Sequence, residues 1–192
     1  MSPFSTCCLL ITILLSLAAT SPAAASISVS AVASPPPREL STPQQFLLAH
    51  NEARAAVGVP PLSWNLTLMT DALRYSTELR ERCSSLPLDP PWPTDGVYGR
   101  NLYKGRGFRN GTEAAAYWLE GRRWYESGKC AASAPRGRCC GAYTQMVWRD
   151  TTQVGCVRRP CRCLIRPCSN VIDTVAVCEY YPPGNQPGQR PY

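Results

Sequence analysis

The chain has 192 residues, a formal net charge of +7, 11 cysteines and one histidine. A single imidazole leaves Ser-His and Cys-His catalytic schemes, and any multi-histidine metal centre, with His50 alone to draw on. The positive charge comes without a nucleic-acid-binding motif, which argues against a nucleic-acid partner.

The first charged residue is Arg38, so what precedes it is not an ordinary soluble surface. The apolar run CCLLITILLSLAA, residues 7–19, is too short to span a bilayer, and it is followed by the small-residue pattern Ala23-Ala24-Ala25. Residues 1–25 therefore read as a signal peptide cut after Ala25. No later stretch is apolar enough for a transmembrane anchor. Residues 26–40, rich in proline and serine, read as a flexible arm. Residues 41–192 are enough for one core burying roughly 70% of the unfolded surface.

Thr42-Pro43 predicts a helix start, with a hydroxyl cap before a proline, and Phe46, Leu47, His50, Ala53, Arg54 and Val57 follow at helical spacing until Gly58. Asn65 caps a second helix carrying Leu68, Ala72, Tyr75 and Leu79, which runs toward Cys83. Prolines and glycines from 84 to 111 predict a long loop. Residues 112–124 predict a third helix weakened by Gly121, and 143–149 a short fourth. Residues 153–157 and 174–180 are β-branched segments bounded by turn residues, which predicts neighbouring strands. The order gives an α+β domain.

Cys7 and Cys8 leave with the signal, and nine cysteines remain, all in the second half. In an oxidising compartment they imply a disulfide framework, and an odd number leaves one thiol free or paired with another chain. Zinc is disfavoured: Cys161-x-Cys163 has the wrong spacing and no histidine follows. The sequons at Asn65 and Asn110 fit N-glycosylation on the same secretory route. Arg122, Arg123, Arg136, Arg138, Arg158, Arg159, Arg162 and Arg166 carry much of the charge. They read either as a solvated basic face or as a surface for anionic cell-wall polymers or membrane head groups.

Three segments go further: FLLAHNEARAAVGVPPLSW (46–64), YTQMVWRDTTQVGC (143–156) and CEYYPPGNQPGQRPY (178–192). In one order, they resemble the first helix, the YTQ-x-VW segment and the tail of plant pathogenesis-related-1 proteins of the CAP superfamily. The resemblance covers residues 41–192 and implies a disulfide-stapled, three-layer α-β-α CAP sandwich. It implies the pairs Cys83–Cys161, Cys130–Cys140 and Cys156–Cys178. Cys163 and Cys168 are close enough to pair with each other, leaving Cys139 as the odd thiol, free or joining a disulfide dimer of an otherwise monomeric protein.

Typical members of that family place two histidines and two glutamates in a central cleft, able to hold a metal or do acid-base work. The matching positions here are Asp95, Arg100, Gly121 and Ala142. No imidazole remains among them, Arg100 opposes a cation, and Glu120 beside Gly121 is turned by about 100° on a helix. The expectation is therefore no bound metal, no cofactor and no enzymatic activity, with His50 a packing residue. An Asp95–Arg100 salt bridge is a compensating arrangement the sequence allows.

The resemblance further implies a secreted protein of the apoplast or cell wall, defending against fungi or oomycetes through sterol or other lipid binding. Pro90, Pro91, Trp92, Pro93, Tyr98 and Leu102 are candidate groove material, although core packing accounts for them equally. An alternative is a precursor releasing residues 182–192 as a signalling peptide, with Tyr181 before the cut where relatives usually carry an acid or asparagine. A reproductive-tissue, pistil-type extracellular protein and a metal-dependent hydrolase are the remaining alternatives.

Overall fold

A computed structural model describes residues 39–81, 96–126, 128–131, 140–161 and 173–192, which belong to one compact unit, Arg38–Tyr192. Helix α1, Thr42–Ala55, is capped by Ser41 and not by Thr42. The Ser41 backbone N–H and hydroxyl both donate to Gln44 Oε1, at 2.9 and 2.8 Å. Pro43 thus sits inside the first turn, where its missing N–H is not needed. Gly58, at φ +72°, turns the chain out after α1, a conformation that favours glycine.

Strand β1, Ser63–Trp64, leads into helix α2, Leu66–Glu81. Asn65 Oδ1 accepts from the backbone N–H groups of Thr67 (2.7 Å) and Leu68 (3.2 Å), satisfying donors left open at the helix start. The loop expected over 84–111 is corrected in its second half, because Gly99–Gly105 forms strand β2. Local composition disfavours a strand there. Seven consecutive partners on β6, from Gly99↔Tyr180 to Gly105↔Thr174, stabilise it from outside the segment.

Asn110 caps α3, Gly111–Leu119, its side chain accepting from Glu113 N–H at 2.9 Å. The single helix expected over 112–124 tightens instead into a 3-10 turn at Glu120–Trp124, containing Gly121, a residue of low helix propensity. Two-residue strands β3, Tyr125–Glu126, and β4, Lys129–Cys130, pair with each other. Helix α4 spans Gly141–Met146, earlier and shorter than expected. Strand β5, Gln153–Pro160, extends three residues beyond its predicted end, and β6 is Thr174–Tyr181.

The main sheet has the order β1-β5-β6-β2, with β1 parallel to β5 and the remaining pairs antiparallel. One face meets Phe46 and Ala49 of α1, Trp118 of α3 and Tyr143 and Met146 of α4, through Tyr103, Val154, Cys156, Ala176, Cys178 and Tyr180. The other meets Ala72, Tyr75 and Leu79 of α2 through Leu102, Val157 and Val177. Side chains alternate in this way because successive strand residues face opposite layers. A Cβ on Gly155 would collide with the backbone of Met69 and Asn65, so glycine lets α2 start directly on β5.

Arg54 joins the layers at one end. It is fully buried, and its guanidinium donates to the carbonyls of Pro60 (2.5 Å), Met146 (3.1 Å), Trp148 (2.8 Å), Arg149 (3.4 Å) and Thr151 (2.9 Å). Burial lowers its pKa to about 10, so it remains charged at neutral pH. Arg54→Met keeps the apolar stem and removes every donor. Urea unfolding is expected to show a loss of at least about 3 kcal/mol, since several carbonyls are left buried without partners.

Candidate functional site

His50 lies on α1, fully buried, at the layer of α1, α3 and α4. Its Nδ1 is 2.7 Å from the Phe46 carbonyl, which can only accept, so Nδ1 carries the proton. Its Nε2 then accepts from the Tyr180 hydroxyl at 2.7 Å. That hydroxyl in turn accepts from Asn101 Nδ2 at 3.0 Å, and the same amide donates to the Ala142 carbonyl at 2.9 Å. The chain from Phe46 to Ala142 is closed, with a partner for both ring nitrogens. Burial, aided by the charge of Arg54, pulls the His50 pKa down to about 4. Burial likewise pushes the Tyr180 phenol well above its ordinary value. Both groups are neutral at physiological pH, and neither can accept a metal or a proton without breaking a buried hydrogen bond.

One residue earlier on each strand, the chemistry is ionic. Arg100 and Glu179 are direct cross-strand partners on the face that meets α2. Arg100 Nε donates to Glu179 Oε1 at 2.6 Å, with side-chain exposures of 6% and 0%. The guanidinium also lies 3.9 Å from the ring centroid of Tyr75 on α2, a favourable cation–π arrangement. Gly121 is buried in the 3-10 turn, and Ala142 lies half-buried on α4 against the opposite core. Arg100 therefore turns away from the layer that holds Gly121 and Ala142. Asp95, and with it the Asp95–Arg100 salt bridge, lies outside the described residues.

A model of the cysteine-rich secretory protein (CAP) family matches residues 47–180. The chain belongs to the CAP family. It is 37% identical over 158 residues to pathogenesis-related protein 1A of Nicotiana tabacum, covering 81% of this chain and 83% of the relative. It is 34% identical over 170 residues to pathogenesis-related protein PRMS of Zea mays, covering 86% and 92%. Among solved structures, venom allergen-like protein 4 of Schistosoma mansoni superposes with a TM-score of 0.54 at 26% identity, over 80% of this chain and 95% of that one. These matches identify a CAP protein of the pathogenesis-related-1 type.

The resemblance implies Arg100, Gly121 and Ala142 as three of the family's cleft positions, and these three do not fit a divalent cation. Gly121 and Ala142 have no ligand atom in their side chains. Arg100 brings a positive charge, and the adjacent carboxylate of Glu179 is engaged by it. Among the described residues, no three histidine, cysteine, aspartate or glutamate side chains are grouped to hold a metal.

Disulfides join Cys130 to Cys140, and Cys156 to its direct cross-strand partner Cys178. Cys161 is also disulfide-bonded; Cys83, Cys139, Cys163 and Cys168 lie outside the described residues. The two sequon asparagines differ. Asn65 Nδ2 donates to Gln153 Oε1 at 2.6 Å, whereas Asn110 uses its Oδ1 as the α3 cap.

Residues 182–192 are built onto the domain. Thr151 Oγ1 donates to the Pro182 carbonyl (2.9 Å), Gly184 N–H to Gln145 Oε1 (2.9 Å), Asn185 Nδ2 to the Gly141 carbonyl (2.9 Å) and Arg149 N–H to the Pro191 carbonyl (2.7 Å). The Tyr192 ring lies 5.6 Å from that of Tyr125, and its hydroxyl 3.2 Å from that of Tyr143.

Sequence reasoning does not single out Asn101, Glu179 or Tyr180. The available signal is a glutamate inside the otherwise apolar TVAVCEY, since a carboxylate in a strand buried on both faces demands a partner.

Two outcomes are expected. The folded His50 pKa, about 4, lies below the ordinary 6.5, so the unfolded chain binds more protons between those values. The associated stability is complete above about pH 6.5 and falls by about 3 kcal/mol as pH drops through 4. Chemical denaturation across this range measures it, and His50→Gln lacks the step. Arg100→Ala removes the ion-pair partner of the buried Glu179 carboxylate and is expected to lower stability by about 3 kcal/mol. The double replacement Arg100→Met with Glu179→Leu is expected to restore most of it in thermal unfolding.

Proposed function

We propose that the chain is a secreted, non-enzymatic CAP protein of plant defence that acts on fungi or oomycetes by binding sterol or another lipid. The observation that carries the non-enzymatic part is the saturation of its sole histidine by Phe46 and Tyr180. With Arg100, Gly121 and Ala142 at three of the four cleft positions, Asp95 is the one acid left among them, and no imidazole accompanies it for acid-base or metal-assisted chemistry. Membership in the family and its similarity to pathogenesis-related proteins support the defence setting.

Lipid binding is supported by an apolar shelf where β2 begins and β6 ends. Val97 is 55% and Tyr181 48% exposed, and the ring of Tyr98 meets that of Tyr181 edge-on at 6.3 Å. Leu102, by contrast, packs against the α2-side core, and residues 90–93 lie outside the described ones. Exposed apolar area of this kind suits a ligand without charge.

The setting is extracellular, in the apoplast or cell wall, where disulfides persist. The protein acts as a monomer with glycans at Asn65 and Asn110. The Asn65 glycan is attached before the amide engages Gln153. A peptide-precursor role would require residues 182–192 to undock from Gly141, Gln145, Arg149 and Thr151 after cleavage, so the tail reads first as part of the fold.

Titration of the mature protein with labelled ergosterol and a plant sterol tests this reading. Saturable binding near one per chain is expected, weakened at least fivefold by Val97→Asp with Tyr181→Ser. Absence of binding to either sterol would overturn it.

A further inference from the structure

The end of the sheet away from Tyr180 carries a basic rim that the cleft does not use. Lys104 of β2 and Arg159 of β5 flank Val175 of β6 in one row, which puts their Cα atoms about 10 Å apart at ordinary strand spacing. Arg158 faces the opposite layer and sets its guanidinium over the ring of Phe108, 4.2 Å from the centroid. Phe108 is 70% exposed, more than any other large apolar residue described.

Its loop, Arg106-Gly107-Phe108-Arg109, is held at both flanks. Thr174 Oγ1 donates to the Gly107 carbonyl (2.8 Å) and accepts from Arg109 N–H (3.2 Å). The Glu113 carboxylate accepts from Arg109 Nη1 and from Asn110 N–H, both at 2.8 Å. Near the loop, Glu113 balances Arg109, and Asp173 precedes Thr174; Glu78 and Glu81 lie in the last turn of α2, the helix that packs on the Lys104 and Arg159 face. Lys104, Arg106, Arg158 and Arg159 have no carboxylate partner among the described residues.

We propose that this rim is a docking surface for anionic lipid membranes, with Phe108 entering the head-group layer while Lys104, Arg106, Arg158 and Arg159 meet lipid phosphates. An outward aromatic tip among cations suits a deformable surface that has both negative charge and apolar depth. An acidic polysaccharide supplies the charge but not the depth, and would leave Phe108 in water. The surface operates whether or not the protein also captures sterol.

Cosedimentation tests it, using the mature chain with N-glycans trimmed and phosphatidylcholine vesicles with or without phosphatidylserine. Binding is expected only with phosphatidylserine present. Arg106→Glu with Arg159→Glu is expected to weaken it at least tenfold, and Phe108→Ala at least threefold. Arg122→Glu with Arg123→Glu makes the same change in net charge on the exposed 3-10 turn and is expected to leave binding unchanged. Melting temperatures establish that each variant is folded. The proposal is overturned by no binding to the anionic vesicles, by equal weakening from both charge pairs, or by a Phe108→Ala variant that binds normally. Polygalacturonate binding that matches vesicle binding and ignores Phe108→Ala would identify a general polyanion surface and likewise overturn it.

Discussion

The architecture depends on one buried cation with no carboxylate in its hydrogen-bond set. Arg54 closes the end of α1 against the turn that follows it, the carbonyl end of α4 and the connection from α4 into β5. Carbonyls at the end of a helix carry partial negative charge and lack intrahelical donors. The guanidinium fork supplies several donors from one rigid plane, which a lysine cannot do. The interaction places α4 relative to α1, and the His50 network inherits that placement: Phe46 and His50 come from α1, and the Ala142 carbonyl comes from α4.

Around this frame, the two faces of the sheet have taken different solutions to buried polarity. On the α1 and α4 face, beyond Arg54, the groups from His50 through Tyr180 and Asn101 to Ala142 are neutral, and each finds a donor or acceptor. On the α2 face the solution is an ion pair, Arg100 with Glu179, roofed by Tyr75. A buried cation needs compensation, from carbonyl dipoles as at Arg54 or from a counter-charge at short range as at Arg100, because an isolated buried charge is costly. Glu179 supplies that counter-charge from the neighbouring strand. On the proposed reading, the molecule makes its contacts through its surfaces, apolar at Val97 and Tyr181 and basic around Phe108.

Much of the fold was legible where the signal is local. The first two helices announce themselves by periodicity and by Pro43 and Asn65 at their starts, although the cap of the first is Ser41 and not the expected Thr42, and β6 by its β-branched run. Strand β2 was not legible, because Gly99 and Gly105 argue against a strand and only pairing with β6 makes one. The 3-10 turn at Gly121 and the extension of β5 to Pro160 are likewise set by packing and by partner strands. For the site, the resemblance implies Arg100, Gly121 and Ala142 as the cleft positions, and it does not give the face to which Arg100 points. That direction follows from register, in which a shift of one residue exchanges the layers. Glu179 became meaningful only as its cross-strand partner.

The central claim is that this CAP protein keeps the family's frame while its cleft positions hold no metal. Isothermal titration of the purified mature protein with zinc, after chelator treatment and dialysis at neutral pH, tests it most directly. The account predicts no saturable binding tighter than millimolar, in the parent and in an Arg100→Glu variant alike, since Gly121 and Ala142 supply no ligands. Stoichiometric binding at micromolar concentration in the parent protein would contradict it.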